Sequence, residues 1–215
     1  MKEIYFEYKN LFKIEHYRRS IFAGLIFLMI AAVLTSISIG YADIAKGNSV
    51  GDLLLDNLPK LDLFWFRTIG TALIAFSIVV IGFLKPKHLP ALSKTIALMY
   101  TIRAFFLPLT HLKFYPEKIL IPPSYSLFSQ IPFSGNDLFF SGHVAFPLVA
   151  AFVFWEDKKL RYLLIFLSVI SGLASLFAKT HYSIDIFVVP FMVYSIFKIS
   201  ERIFKKDFEY FRREI

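Results

Sequence analysis

Cysteine is absent from the 215-residue sequence, and charged residues make up only 19% of it. The lack of cysteine excludes disulfides, iron–sulfur clusters and zinc–thiolate sites. No stretch rich in glycine, serine or proline resembles a linker to a second domain, so we expect one domain. With 57% hydrophobic and 18% aromatic residues, the chain is too apolar for a water-soluble fold of this size. The composition therefore predicts an all-α, polytopic membrane protein.

The net charge of +8 has an explanation in the membrane. Lysine and arginine gather at the chain ends and in short turns beside apolar runs, where anionic lipid headgroups are the nearest partner. We therefore expect the lipid bilayer, and not nucleic acid, as the partner of these charges. Residues 1–20 place apolar positions at helical spacing between basic ones, which predicts an amphipathic helix on the cytoplasmic leaflet. Residues 201–215 are predicted to form a basic cytoplasmic tail.

Six segments are apolar enough to cross a hydrocarbon core of about 30 Å, which takes roughly 20 residues of helix. They are 21–41, 63–84, 89–109, 138–155, 160–178 and 183–200. Residues 21–200 thus form a predicted six-span membrane domain. Sixteen lysine and arginine residues fall on the side of the two termini and five on the other side. The positive-inside bias then places both termini in the cytoplasm and the loops 42–62 and 110–137 outside.

Ionisable side chains inside predicted spans are costly, and they therefore mark candidate functional positions. Seven such residues stand in or at the ends of the spans: Arg67, Lys94, Arg103, Asp137, His143, His181 and Asp185. All but Lys94 map to the outward side of a topology that rests on loop charges alone and does not use these residues. Lys94 lies near the cytoplasmic end, where we expect its side chain to snorkel to the headgroups. The other six indicate one extracytoplasmic site.

His181 and Asp185 are four residues apart, which places them on one helical face if the last span begins there. The carboxylate can then accept a ring N–H, which holds one imidazole tautomer and makes the other nitrogen more basic. Such a histidine is suited to act as a nucleophile or a base. The pair therefore predicts an activated imidazole at the outer membrane surface.

Ser141, Gly142 and His143 stand where the fourth span begins. Unpaired backbone N–H groups and a partial positive charge at a helix start favour a bound phosphate. Arg103 adds a permanent cation whose fork matches phosphate oxygens, and Lys179 precedes the second motif histidine by two residues. Two histidines, a carboxylate and several cations together point to phosphoryl transfer. We expect neither a metal nor another cofactor.

Two segments resemble the catalytic motifs of sphingomyelin synthases, a branch of the type 2 phosphatidic acid phosphatase superfamily: GNDLFFSGH at 135–143 and HYSID at 181–185. Residues 100–108 are similar to the arginine motif that precedes them in that family. The resemblance implies that His181 is the nucleophile that attacks phosphorus and that Asp185 orients it. It also implies that His143 protonates the departing oxygen and that Arg103 holds the phosphate.

The sequence departs from the family pattern at several positions. Residues 135–136 are Gly-Asn where the synthases have Cys-Gly. Ala104 stands where the wider superfamily has proline, and Ser175 stands where it has arginine. Asp137 is retained, with three open roles: it could tune the first motif histidine, contact a headgroup or cap the following helix. The resemblance therefore places the chain nearer the synthase branch than the wider phosphatases.

We interpret the chain as a lipid phosphatase or phosphotransferase, cleaving a phosphoester of a membrane phospholipid or sphingolipid-type substrate at the extracytoplasmic leaflet. For Arg67, interfacial snorkelling competes with an accessory role in phosphate binding. Two other classes stay open: a metal-dependent intramembrane hydrolase using the same histidines and aspartates, and a small non-enzymatic transporter of lipid or solute. The loop 110–137 is long enough to form a lid, and its Phe128 and Phe133 could contact acyl chains.

Overall fold

The computed structural model describes residues 2–118 and 137–212, and the regular structure in those ranges is helical. The helices are α1 (Lys2–Leu11), α2 (Glu15–Ile44), α3 (Phe64–Leu84), α4 (Leu89–Phe106), α5 (Gly142–Val153), α6 (Lys158–Phe177), α7 (Ser183–Phe187), α8 (Val189–Ile203) and α9 (Lys205–Arg212). Short 3₁₀ turns at Pro86–His88 and Leu107–Leu109 flank α4. Within these ranges there is no strand, only an isolated bridge between Asn48 and Leu112. The predicted all-α class is confirmed.

Within residues 2–118 and 137–212, five segments are long and apolar enough to cross a membrane, and each corresponds to a predicted span. They are Glu15–Ile44, Trp65–Leu84, Pro86–Leu109, Lys158–Phe177 and Ser183–Ile203. The predicted fourth span, 138–155, is longer than the helix found there, since α5 has 12 residues and rises about 18 Å. Residues 138–141 stay outside the helix because their backbone groups bond to Arg103, His181 and Asp185.

The centre of the bundle is formed by α4, α5 and α8. Met99 of α4, Val149 of α5 and Val193 of α8 are completely buried. Lipid tails are as apolar as these side chains, so close packing, and not exclusion of water, holds such helices together. At Gly24 an added Cβ would collide with the side chain of Ser93, which shows how closely α2 approaches α4.

The outer faces of α2 and α3 carry large exposed apolar side chains. Examples are Phe22, Met29 and Ile37 on α2, and Leu73 and Phe76 on α3. Contiguous apolar surface of this kind marks contact with a partner or a membrane. Together with the five long apolar helices, it identifies these faces as the lipid-contacting surface.

Lys94 does not snorkel to the membrane surface, and that prediction is wrong. Its side chain is buried, and its Nζ lies 2.6 Å from Ser20 Oγ and 2.7 Å from Asp207 Oδ2. Ser20 Oγ also donates to the other oxygen of Asp207 at 2.5 Å, and His16 Nε2 lies 3.3 Å from that oxygen. The reason is that α9 folds back against α4 and brings a carboxylate to the ammonium. This network ties α2, α4 and α9 together.

The first and last helices of the described residues, α1 and α9, pack on the bundle. Helix α1 ends at Leu11, which is buried, and α2 begins at Glu15, so residues 15–20 extend the first long helix. In the predicted tail, α9 buries Phe208 against the core. The predicted lid segment lies mostly outside the described residues, and Phe128 and Phe133 are among those not described.

Candidate active site

Arg103 lies in the last turn of α4 and is completely buried. Its Nε donates to the carbonyl oxygen of Phe140 at 2.7 Å, and its Nη2 forms an ion pair with the Asp137 carboxylate. Its Nη1 has no hydrogen-bond partner among the described residues. Because a guanidinium can only donate, the unused nitrogen is available for an anion.

The turn before α5 holds Ser141 and Gly142 directly against Arg103. Ser141 is the N-cap of α5, and its backbone N–H donates to the carbonyl oxygen of Asp185 at 2.9 Å. A Cβ at Gly142 would lie 3.7 Å from the guanidinium carbon, so the start of the helix faces the cation. The N–H groups of a first helical turn have no partner within the helix. They therefore add donors beside the guanidinium.

His181 precedes the helix of its motif. Helix α7 begins at Ser183, and the Asp185 carboxylate accepts the backbone N–H of Tyr182 at 3.1 Å. That carboxylate lies 3.7 Å from His181 Nδ1, which is beyond hydrogen-bond distance, whereas the carbonyl oxygen of Leu138 lies 3.1 Å from Nδ1. A carbonyl only accepts, so Nδ1 donates this hydrogen bond, and Nε2 is the ring nitrogen left to face other groups. The predicted neighbours are therefore adjacent, but the ring hydrogen bond goes to a backbone acceptor.

The two motifs are joined by these backbone contacts into one unit. The Leu138 carbonyl accepts from His181, and the Ser141 N–H donates to Asp185. The rings of His143 and His181 are 6.1 Å apart between centroids and inclined by 65°. Residues separated by 38 positions in the sequence are thus neighbours, and Arg103 lies beside them.

A cavity of about 200 Å³ lies next to Arg103 and His143, between α3, α4 and α5. It is lined by Thr71, Ile74, Ala75, Tyr100, Arg103, Asp137, Gly142, His143, Phe146 and Pro147. Its charged and ionisable residues lie on the α4 side and at or just before the start of α5, whereas α3 and the body of α5 contribute Ile74, Ala75, Phe146 and Pro147, with Thr71 the polar residue on the α3 side. His181 is 4% exposed and is not one of the lining residues, but its ring adjoins that of His143, which is. The cavity therefore suits a ligand that joins an anionic group to a hydrocarbon part.

Four buried polar atoms around this cavity have no hydrogen-bond partner among the described residues. They are Arg103 Nη1, Ser141 Oγ, His143 Nδ1 and Asp137 Oδ1, the last of which belongs to the ion pair with Arg103. Burying a polar group without a partner is costly, and native structures contain few such groups. Their concentration beside one cavity is the arrangement expected of a site that completes its hydrogen bonds with a ligand.

Two further basic side chains, Arg67 and Lys118, lie within electrostatic range of the site. Arg67 lies in the first turn of α3, and its positive charge acts electrostatically on the His143 ring. Arg67 therefore belongs to the surroundings of the site. Burial and, after it, the Arg67 guanidinium lower the pKa of Lys118 to about 7, while the carboxylates of Asp43 and Asp137 raise it. Sequence reasoning missed Lys118, because a loop lysine outside every predicted span carries no signal of this kind.

Lys179 is not brought into the cavity. Its backbone has a φ of 50°, a left-handed conformation that is uncommon for a residue with a side chain. Its buried ammonium lies 2.5 Å from the Glu117 carboxylate and 5.3 Å from the centre of the Tyr115 ring. Lys179 therefore links the second motif to the segment after α4, and its charge is already neutralised.

No three histidine, aspartate or glutamate side chains are grouped closely enough to share a metal ion within residues 2–118 and 137–212. The carboxylates nearest the two histidines have other partners, since Asp137 pairs with Arg103 and Asp185 accepts the Tyr182 N–H. The four ligands considered for a metal-dependent hydrolase are therefore not assembled in this part of the chain.

Residues 134–202 match a family model described as PAP2 superfamily C-terminal. The match covers about a third of the chain and contains His143, His181 and Asp185, but not Arg103. No curated protein gives a significant match to the chain. The family match supports membership of this superfamily, and with it an enzyme of the phosphatase or phosphotransferase type at a membrane.

Proposed function

We propose that the chain is a membrane enzyme that transfers or hydrolyses a phosphate-bearing group of a lipid through a phosphohistidine intermediate. One observation carries the proposal. The His143 and His181 rings lie 6.1 Å apart beside the completely buried Arg103, whose Nη1 has no partner among the described residues. Two imidazoles and an available guanidinium are the groups that phosphoryl transfer by nucleophilic and acid–base catalysis needs.

The lipid phosphate would bind between the guanidinium of Arg103 and the start of α5. Nη1 of Arg103, Ser141 Oγ and the first N–H groups of α5 are donors at this position. The hydrocarbon part would lie along Ile74 and Phe146 on the apolar side of the cavity. This division of the lining favours a lipid over a small soluble phosphoester.

In the first step, Nε2 of His181 attacks phosphorus while the bond to the departing oxygen breaks. Protonated His143 gives that oxygen its proton, so an alcohol leaves and the phosphate-bearing group stays on His181. In the second step, water or a lipid alcohol attacks phosphorus, and neutral His143 accepts the proton of the attacking hydroxyl. The nitrogen–phosphorus bond then breaks and both imidazoles return to their starting states.

The positive-inside bias of the loops supports an active site on the extracytoplasmic leaflet with both termini in the cytoplasm. The two motifs at 135–143 and 181–185 support a sphingomyelin synthase-like branch, in which a lipid alcohol accepts the group. Hydrolysis is the same second step with water as the acceptor. The bound lipid is a phospholipid or a sphingolipid-type molecule in either case.

The test is turnover of a panel of radiolabelled phospholipids by the purified protein in EDTA, with water, diacylglycerol or ceramide as the acceptor. We expect product in the presence of EDTA, and an acid-labile, base-stable label on His181. His181→Ala and His143→Ala should lose turnover. His111→Ala is the matched control, because His111 is exposed and contacts Tyr41 instead of the site.

Several outcomes would contradict the proposal. Turnover by His181→Ala at the parent rate would remove the mechanism, and a label on His143 would exchange the two roles. Loss of turnover in EDTA, restored by a divalent metal, would favour the metal-dependent alternative. Movement of lipid without cleavage of any phosphoester would favour a transporter.

A further inference from the structure

Asp52 is a buried carboxylate in the loop between α2 and α3, a segment that no motif covers. Its Oδ1 accepts the backbone N–H groups of Leu54 and Leu55 at 3.0 and 3.1 Å. Its Oδ2 accepts the N–H of Ser183 at 2.7 Å and the Oγ–H of Ser183 at 2.9 Å. One carboxylate therefore holds both a turn of the outer loop and the first residue of α7.

These four hydrogen bonds keep the carboxylate of Asp52 ionised. Burial alone raises the pKa of Asp52, but the N–H groups of Ser183, Leu55 and Leu54 and the Ser183 hydroxyl lower it below its ordinary value. A carboxylate that accepts several N–H groups is stabilised in its charged form. The contact to α7 is therefore charge-assisted at neutral pH.

The residues that follow His181 are clamped from outside the helix bundle. Ser183, two positions after His181, is held by Asp52. The Tyr182 hydroxyl donates to the Lys113 carbonyl at 2.8 Å and accepts the Val50 N–H at 3.2 Å. The loop between α2 and α3 and the segment after α4 thus both form hydrogen bonds with the residues immediately after the motif histidine.

His181 needs such an external constraint because it has no helix to hold it. It lies between Lys179, with a φ of 50°, and the N-cap Tyr182, with a φ of −66° and a ψ of 155°. Among the residues that the structure describes, its ring makes one hydrogen bond, from Nδ1 to the Leu138 carbonyl oxygen. The direction in which Nε2 points therefore depends on the backbone at 182–183.

We propose that Asp52 is a positioning residue for His181, acting through Ser183. Its carboxylate fixes the backbone at 182–183, and this fixes the direction in which the His181 ring presents Nε2 to the lipid phosphate. The proposal rests on the proposed function of the same site. Asp52 itself touches neither the substrate nor the reacting atoms.

Loss of positioning has a kinetic signature that differs from loss of stability. A nucleophile displaced by about 1 Å can cost on the order of 100-fold in rate. Substrate binding relies on Arg103 and the start of α5, which Asp52 does not contact. We therefore expect Asp52→Asn to lower kcat by about 10- to 100-fold while KM changes by less than about threefold.

Asp157→Asn is the matched control. Asp157 is also an aspartate that accepts a backbone N–H at a helix start, from Leu160 at 3.2 Å, but it caps α6 at the opposite end of that helix from the second motif. Both variants lose a helix-capping charge, so a merely structural role predicts similar effects on thermal stability and on kcat. Positioning predicts a fall in kcat and in the rate of phosphohistidine formation for Asp52→Asn alone.

The experiment measures kcat, KM and single-turnover labelling for the parent, Asp52→Asn, Ser183→Ala and Asp157→Asn, at a temperature where all four are folded. Ser183→Ala keeps the backbone N–H and should lose less activity than Asp52→Asn. Parental kcat in folded Asp52→Asn, or an equal loss in Asp157→Asn, would overturn the positioning role. If His181→Ala keeps parental turnover, it is the proposed function that fails.

Nitrogen-15 NMR of labelled histidines gives a second measurement that needs no turnover. We expect parent and Asp157→Asn to show one set of His181 ring signals with the proton on Nδ1. In Asp52→Asn, the His181 ring signals should broaden or split into more than one set, because the ring is no longer held in one orientation. Unchanged His181 signals in Asp52→Asn would overturn the proposal even if no lipid in the panel is processed.

Discussion

Replacement of Asp137 by asparagine should lower the stability of the phosphate-free protein and increase its affinity for phosphate. Asp137 forms an ion pair with Arg103, which is completely buried. Removing one partner of a buried pair costs about 3–5 kcal/mol, since the remaining charge is left uncompensated. The Asp137 carboxylate also repels an anion bound at Arg103. At a separation of about 6 Å and an effective dielectric constant of about 20, that repulsion is about 3 kcal/mol per unit charge.

The assay is thermal unfolding of the detergent-solubilised protein against inorganic phosphate concentration. Without phosphate, Asp137→Asn should unfold at a lower temperature than the parent. A ligand that binds only the folded state stabilises it by mass action, so phosphate should raise the unfolding midpoint of both proteins. The rise should be larger for Asp137→Asn than for the parent, and the fitted Kd of the variant should be about 10- to 100-fold lower than the parental Kd. This readout is independent of catalysis.

Asp56→Asn is the control for the loss of one negative charge. Asp56 is exposed on the loop between α2 and α3 and accepts the Tyr115 hydroxyl at 2.7 Å, so its replacement leaves the Arg103 pair intact. We expect the parental Kd for phosphate in that variant. A Kd for Asp137→Asn equal to or weaker than that of the parent would refute the idea that the carboxylate and the phosphate compete for Arg103.

Other predictions concern stability. Lys94→Met should lower the free energy of unfolding by about 3–5 kcal/mol, because it leaves the buried Asp207 carboxylate without its cation. Adding Asp207→Leu should recover most of that free energy. If unfolding experiments show that the losses of the two single variants add up in the double variant, the buried pair is contradicted. Gly47→Ala should lower the melting temperature, since its Cβ would collide with the His111 backbone, whereas Gly40→Ala, with open space, should not. The stability that Asp52 contributes should be fully present above its unfolded pKa of about 3.9 and lost as pH falls through its lower folded pKa. The melting temperature of the parent, measured from pH 7 to pH 3, should therefore fall more at acid pH than that of Asp52→Asn.

The sequence predicted the long helices and the neighbourhood of the site because both follow from local patterns. Apolar runs define spans, and ionisable residues within them are rare enough to mark Arg103, His143 and His181. Partners across the bundle could not be predicted. Lys94 and Asp207 are 113 positions apart along the chain, and the sequence around each residue gives no indication that the other is its partner.

Local rules also failed where the backbone leaves regular geometry. The spacing of His181 and Asp185 predicts a hydrogen bond along one helical face, but the helix begins after His181, and the two side chains approach only to 3.7 Å. The hydrogen bond goes to the Leu138 carbonyl instead, an acceptor that every residue carries and that spacing cannot single out. Asp52 was overlooked for a related reason, since an aspartate in a polar loop is expected to be solvated.

The twelve-residue length of α5 has a consequence for the lipid. A helix that rises about 18 Å falls some 12 Å short of a hydrocarbon slab about 30 Å thick. If its far end is level with the cytoplasmic interface, Ser141 lies well beneath the plane of the opposite headgroups. A phosphoester could reach it only where the bilayer thins or the lipid sinks, so turnover should increase in membranes made of shorter acyl chains.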